Sequence, residues 1–166
     1  MVIEFARHVV GLSDANSTEF NADVGDPVIS LLAEQANVTD LGGTMRLGHY
    51  PCNLVSGSKA ESAYATGRVN ERHRHRWEFN NEYREVLEDA GLRVSGLSPD
   101  GDLVEIVEIV AHSFMLGSQF HPELRSRPDR PHPLFSAFVK AALINKANSV
   151  GLSGETENPS KSMVGS

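Results

Sequence analysis

The run Phe114 to Glu123, FMLGSQFHPE, constrains this chain more than any other stretch. Its first half is apolar enough to form a buried strand, and Gly117 marks a close approach of backbone or ligand. The strand has to stop at His121-Pro122-Glu123, because proline donates no ladder hydrogen bond and holds the residue before it extended. A histidine and a carboxylate two positions apart at a strand end can share one pocket. There the carboxylate orients the imidazole and stabilises its cation. The same spacing also fits a strand-end histidine satisfied by a local hydrogen bond, and His-x-Glu alone does not choose between the two.

A length of 166 residues suits one domain with room for a tail, and 40% hydrophobic residues suit an ordinary globular chain. The formal net charge of −7 argues against nonspecific nucleic-acid binding, which needs a basic field. The lone cysteine, Cys52, excludes an intramolecular disulfide. No apolar run approaches membrane-spanning length, and the opening MVIEFARHVVGL is too short and too acidic for a signal peptide. These features predict a soluble cytoplasmic protein with neither nucleic acid nor membrane as partner.

Val2, Phe5, Ala6, Val9 and Val10 fall at helical spacing, and Gly11 can stop that helix. No capping residue precedes it, so its beginning reads as cut off. Ser13 to Phe20 reads as a polar loop, Pro27 to Leu32 as a strand, and His49 to Val55 as a strand in which Cys52 fills core space. Asn80 or Asn81 can cap a helix with Tyr83, Val86, Leu87 and Ala90 as its stripe and Gly91 as its stop. Leu92 to Leu97, Leu103 to Val110 and Phe114 to Phe120 read as strands, the first two separated by the turn Ser98 to Gly101. A last helix starts at Pro133 with Leu134, Phe135, Phe138, Val139, Ala142 and Leu143 as its apolar face. Residues 146–166 are expected to be a disordered tail.

Two stretches invite ligands. Asp40 to Gly48, DLGGTMRLG, surrounds Thr44, Met45 and Arg46 with glycines and reads as a turn or a lid over a ligand. Glu71 to Phe79, ERHRHRWEF, alternates as a strand with His73, His75, Trp77 and Phe79 on one face and Arg72, Arg74, Arg76 and Glu78 on the other. Arginines so close repel unless anions meet them. Either the chain's own carboxylates or a carboxylate or phosphate ligand would serve.

Four motifs in order, ANSTEF at 15–20, DLGGTMRLG at 40–48, ERHRHRWEFN at 71–80 and QFHPE with SRPDRPHPLFSAFVKAA at 119–142, resemble the C-terminal glutamine amidotransferase domain of the CTP synthase family. The resemblance covers residues 1–145. It implies an α/β fold, the class I glutamine amidotransferase-like sandwich around a mostly parallel sheet, with its N-terminal portion missing. It also implies the chemistry: a cysteine thiolate attacks the side-chain amide of glutamine, and the ammonia released passes to an ATP-dependent synthetase domain that aminates UTP to CTP. By resemblance His121 is the catalytic histidine and Glu123 the acid behind it, while Glu19 and Arg76 bind glutamine. Arg76 suits the α-carboxylate and Glu19 the ammonium. Gly42, Gly43, Thr44, Met45 and Arg46 match a lid associated with GTP. No cofactor is implied for this chain itself; ATP, Mg2+ and the GTP activator, with a homotetramer, are implied for the full-length enzyme.

The family's nucleophile sits in G-x-C-x-G-x-Q just ahead of the helix that opens this chain, and that motif does not occur here. Cys52 lies outside any such context. The chain alone is therefore expected to be inactive, as the His/Glu half of a glutaminase without its nucleophile or synthetase domain. A non-catalytic remnant that binds glutamine or GTP is the alternative. A more remote one is a cupin-like metal enzyme, because Gly67 and His73-x-His75 fit the opening of that motif, although Glu78 comes one residue early.

Overall fold

The computed structural model describes residues 1–31 and 45–153. The chain opens in helix α1, Val2–Phe5, which widens into a π-turn over Ala6–Val10. Phe5 and Ala6 turn into the core, and Gly11 closes the helix at φ +90°, donating its N–H to the Ala6 carbonyl. The stretch expected to be a polar loop contains a short strand instead, β1, Ala15–Ser17. Its inward residues, Ala15 and Ser17, are too small and polar to produce an apolar alternation. It pairs in parallel with β2, Asp26–Leu31.

β3, Arg46–Leu54, starts earlier than the sequence predicts and takes Arg46 into a long antiparallel ladder with β4, Arg68–His75. Between them lies helix α2, Lys59–Tyr64. Its N-terminus is legible in Ser58-x-x-Glu61: the Ser58 hydroxyl accepts the Glu61 N–H, and Glu61 reaches back to the Gly57 N–H at 2.7 Å. β5, Trp77–Phe79, leads through a 3-10 turn at Asn81–Tyr83 into α3, Arg84–Asp89. β6, Leu92–Leu97, turns at Ser98 to Gly101 into β7, Val104–Ile109, and β8 is Leu116–Ser118. After a 3-10 turn at Pro122–Leu124 comes α4, Pro133–Ser153. That helix runs on into the stretch expected to be a tail. Among the described residues no helix is long and apolar enough to cross a membrane.

The strands form two sheets, ordered β1-β2-β5 and β4-β3-β6-β7-β8. The α/β class stands. The pairing sense is a correction to the mostly parallel sheet expected: among the described residues β1 and β2 pair in parallel, and the other ladders are antiparallel. A four-residue turn such as Ser98 to Gly101 joins only antiparallel neighbours, and β6 and β7 obey it. One core gathers Phe5, Val28, Phe79, Leu87 and Leu92 between the sheets and helices. A second holds Cys52, Leu54, Ile106, Phe120 and Leu134. Cys52 packs as expected, against Gly96, where a Cβ would sit 2.8 Å from its sulfur. Of the face read for the last helix, Leu134 is buried, whereas Phe138 is 56% and Leu143 62% exposed.

Candidate functional site

The strand-end histidine is placed by backbone. The His121 N–H donates to the Arg72 carbonyl at 2.9 Å, fastening it to β4. Pro122 then starts the 3-10 turn, which folds Glu123 back so that its Oε1 lies 2.6 Å from His121 Nδ1. This is the local bond the spacing allows. The hydrogen bond from His121 is the main reason the Glu123 carboxyl is held below the usual carboxylate range. With Nδ1 engaged, Nε2 is the nitrogen left to carry a proton in chemistry, the arrangement of a histidine backed by an acid. Both side chains reach solvent, at 40% and 58% exposure.

Glu19 and Arg76, far apart in sequence, line one cavity of about 480 Å³ together with Met45, Arg74, His75 and Gln119. Glu19 comes from the turn after β1, where its N–H donates to the Ser17 hydroxyl at 3.2 Å. Arg76 comes from the bend between β4 and β5. Gln119 donates its side-chain amide to the Trp77 carbonyl at 2.6 Å. His121 and Glu123 are not among the lining residues. Gln119 was not singled out from sequence, although it lies two residues before His121, a spacing that puts both on one side of an extended chain.

Of the lid residues, Gly42, Gly43 and Thr44 lie outside the described residues. Met45 lines the cavity. Arg46 turns inward: its guanidinium is 2.5 Å from Glu105 Oε1 and stacks 4.5 Å over the Tyr50 ring. Glu105 is buried on β7, and burial above all raises its carboxyl, with Arg46 opposing. The alternation read for ERHRHRWEF holds through His75 and then breaks. Glu78, expected on the arginine face, is buried beside Phe79, because the chain bends at Arg76 and the face parity is lost across the bend.

His73 and His75 lie two residues apart on β4. Their rings face each other at 2.9 Å (Nδ1 to Nε2), with Glu105 3.5 Å from His73 and Glu78 3.2 Å from His75. Among the described residues no group of three or more His, Cys, Asp or Glu side chains is arranged to hold a metal ion. Burial pushes the His73 pKa down to about 3, helped by the positive charge of Arg46, so this ring is neutral at ordinary pH. Cys52 is no nucleophile either. It is fully buried, and desolvation first, then the charge of Glu105, pushes its thiol up to about 12.

The sequence matches the family described as Glutamine amidotransferase class-I over residues 1–141. It is 61% identical over 140 residues to a CTP synthase of Chloroflexus aggregans, covering 84% of this chain and 26% of that protein. It is also 61% identical over 142 residues to a CTP synthase of Dehalococcoides mccartyi, covering 86% of this chain and 26% of that one. Among solved structures it is similar to the glutaminase domain of Trypanosoma brucei CTPS with bound acivicin. That match has a TM-score of 0.78 and 39% identity, over 86% of this chain and 55% of that one. The chain thus spans about a quarter of the length of the curated relatives it matches.

Proposed function

The chain belongs to the glutamine amidotransferase class-I family, and from that we propose that residues 1–145 are the His/Glu half of the glutaminase domain of a CTP synthase. In this reading Glu19 and Arg76 hold the ammonium and α-carboxylate of glutamine. His121, backed by Glu123, moves the proton to and from a cysteine thiolate supplied by the G-x-C-x-G-x-Q segment that the family carries ahead of α1. The observation that carries the reading is the cavity of about 480 Å³ in which an acid and a base from distant parts of the chain meet. One carboxylate and one guanidinium match the two charges of an α-amino acid.

The whole protein, in the same proposal, is a cytoplasmic homotetramer. It releases ammonia from glutamine and uses it in an ATP-dependent amination of UTP to CTP. GTP acts as its activator through the lid at Gly42 to Arg46. ATP and Mg2+, in the same proposal, belong to the synthetase domain. The chain by itself is proposed to be inactive, because the chain's only cysteine is the inert Cys52.

Calorimetric titration of the chain with L-glutamine tests the reading. Saturable binding is expected, weakened most by Arg76→Ala and at least tenfold by Glu19→Ala. Binding unchanged in both variants would overturn the assignment of this cavity.

A further inference from the structure

The segment that carries Arg76 is not one strand. β4 ends at His75 in the five-stranded sheet, β5 begins at Trp77 in the three-stranded one, and Arg76 is the joint between them. In a straight strand, side chains at i and i+3 leave opposite faces, on α-carbons about 10 Å apart at ~3.3 Å per residue. His75 Nδ1 nevertheless lies 3.2 Å from Glu78 Oε1. The contact exists because the chain bends at Arg76.

The contact is rooted in the interior. The second ring nitrogen of His75 meets His73 Nδ1 at 2.9 Å, and Glu105 stands between His73 and Arg46. His75 thus stands between His73 on one ring nitrogen and the Glu78 carboxylate, 3.2 Å away, on the other. Arg46 and His75 are register partners at the end of the β3–β4 ladder, and their chain neighbours Met45 and Arg76 both line the cavity. Glu78 is 2% exposed, and among the described residues neither of its oxygens has an aligned hydrogen bond. A buried carboxylate left this way costs stability.

We propose that Glu78 is a positioning residue for the cavity: through His75 it fixes the bend at Arg76, and with it the direction from which the guanidinium approaches a ligand carboxylate. The inference rests on the glutamine reading of the cavity. Its test uses the full chain, titrated with L-glutamine and with 4-aminobutanamide, which is glutamine without the α-carboxylate. Glu78→Gln and, as a second variant, Glu78→Leu are each expected to weaken L-glutamine about tenfold. Each should leave 4-aminobutanamide within twofold and the far-ultraviolet circular dichroism unchanged. Equal weakening of both ligands, or unchanged glutamine binding, would overturn the positioning role while the glutamine reading stands. A wild-type chain with no saturable glutamine binding would overturn both, and that outcome is distinct because the loss appears before any substitution.

Discussion

Glu71 and Glu78 lie on adjoining strands, and each is 2% exposed, yet their surroundings are opposite. Glu71 Oε1 accepts from the Tyr64 hydroxyl at 2.9 Å and meets His132 Nε2 at 3.1 Å, while Arg125 stands 3.6 Å from Oε2. The Leu134 N–H donates to His132 Nδ1, which leaves Nε2 as the protonated nitrogen facing Glu71. Burial raises the Glu71 carboxyl, but the hydrogen bonds of His132 and Tyr64 and the nearby positive charge outweigh it and hold it below its usual value. This knot ties α2 and the 125–132 loop to β4. Glu78 has His75 at ion-pair distance and no aligned hydrogen bond. A buried carboxylate can thus be an anchor or a cost, according to its partners, and the cost here lies beside the cavity wall. Proteins break local rules of satisfaction chiefly at functional sites.

The contrast is most directly broken by mutation. Glu71→Ala is expected to lower the unfolding free energy by about 3–5 kcal/mol, because it strands Tyr64, His132 and Arg125. Glu78→Leu is expected to cost under ~1 kcal/mol or to stabilise, since an apolar group of similar size replaces an unsatisfied charge. Urea denaturation of both variants reads the difference, and equal losses would end the comparison.

Acid titration sharpens it with a different pair. The folded pKa of Glu71 lies below its unfolded value of ~4.3. Its stabilising contribution is therefore present above that pH and lost as pH falls through the folded value. Glu105 is shifted the other way, first by burial. Its contribution is present below ~pH 4.3 and lost as pH rises through its folded pKa. Between pH 6 and 3, Glu71→Gln should flatten the loss of stability on acidification and Glu105→Gln should steepen it, as followed by denaturant midpoints.

A smaller effect is expected from Tyr64→Phe, which removes one hydrogen bond to Glu71 and should cost ~1 kcal/mol. Smallest of all is the response of Cys52. With its thiol pushed up to about 12 and buried, it should react with a colourimetric disulfide reagent only after denaturation. Rapid native-state labelling would mean the core around it opens easily.

Much of the organisation was legible from residue order. Gly11 as a helix stop, Asn80 as a cap, the Ser98 to Gly101 turn and Pro133 at a helix start are local features, set by backbone chemistry within a few residues. The His121-Pro122-Glu123 pair belongs with them, because a proline and a two-residue spacing leave few conformations. β1 was not legible, since Ala15 and Ser17 carry no apolar pattern. The early start of β3 was not, since glycines around Arg46 read as a turn. The outward face of α4 was not, since periodicity shows which face is apolar and not what covers it.

By itself the sequence determined the local stops and caps, the histidine–carboxylate pair, and the motifs that mark the family. Only the tertiary structure decided that Arg46 faces a buried glutamate, that Glu78 crosses to the inside, and that Glu19 and Arg76 share a cavity. The reason is range. A cap or a turn is settled by hydrogen bonds between near neighbours, whereas the facing of a charge depends on which distant strand supplies its partner. That is known only once β4, β3, β6 and β7 are ordered in one sheet.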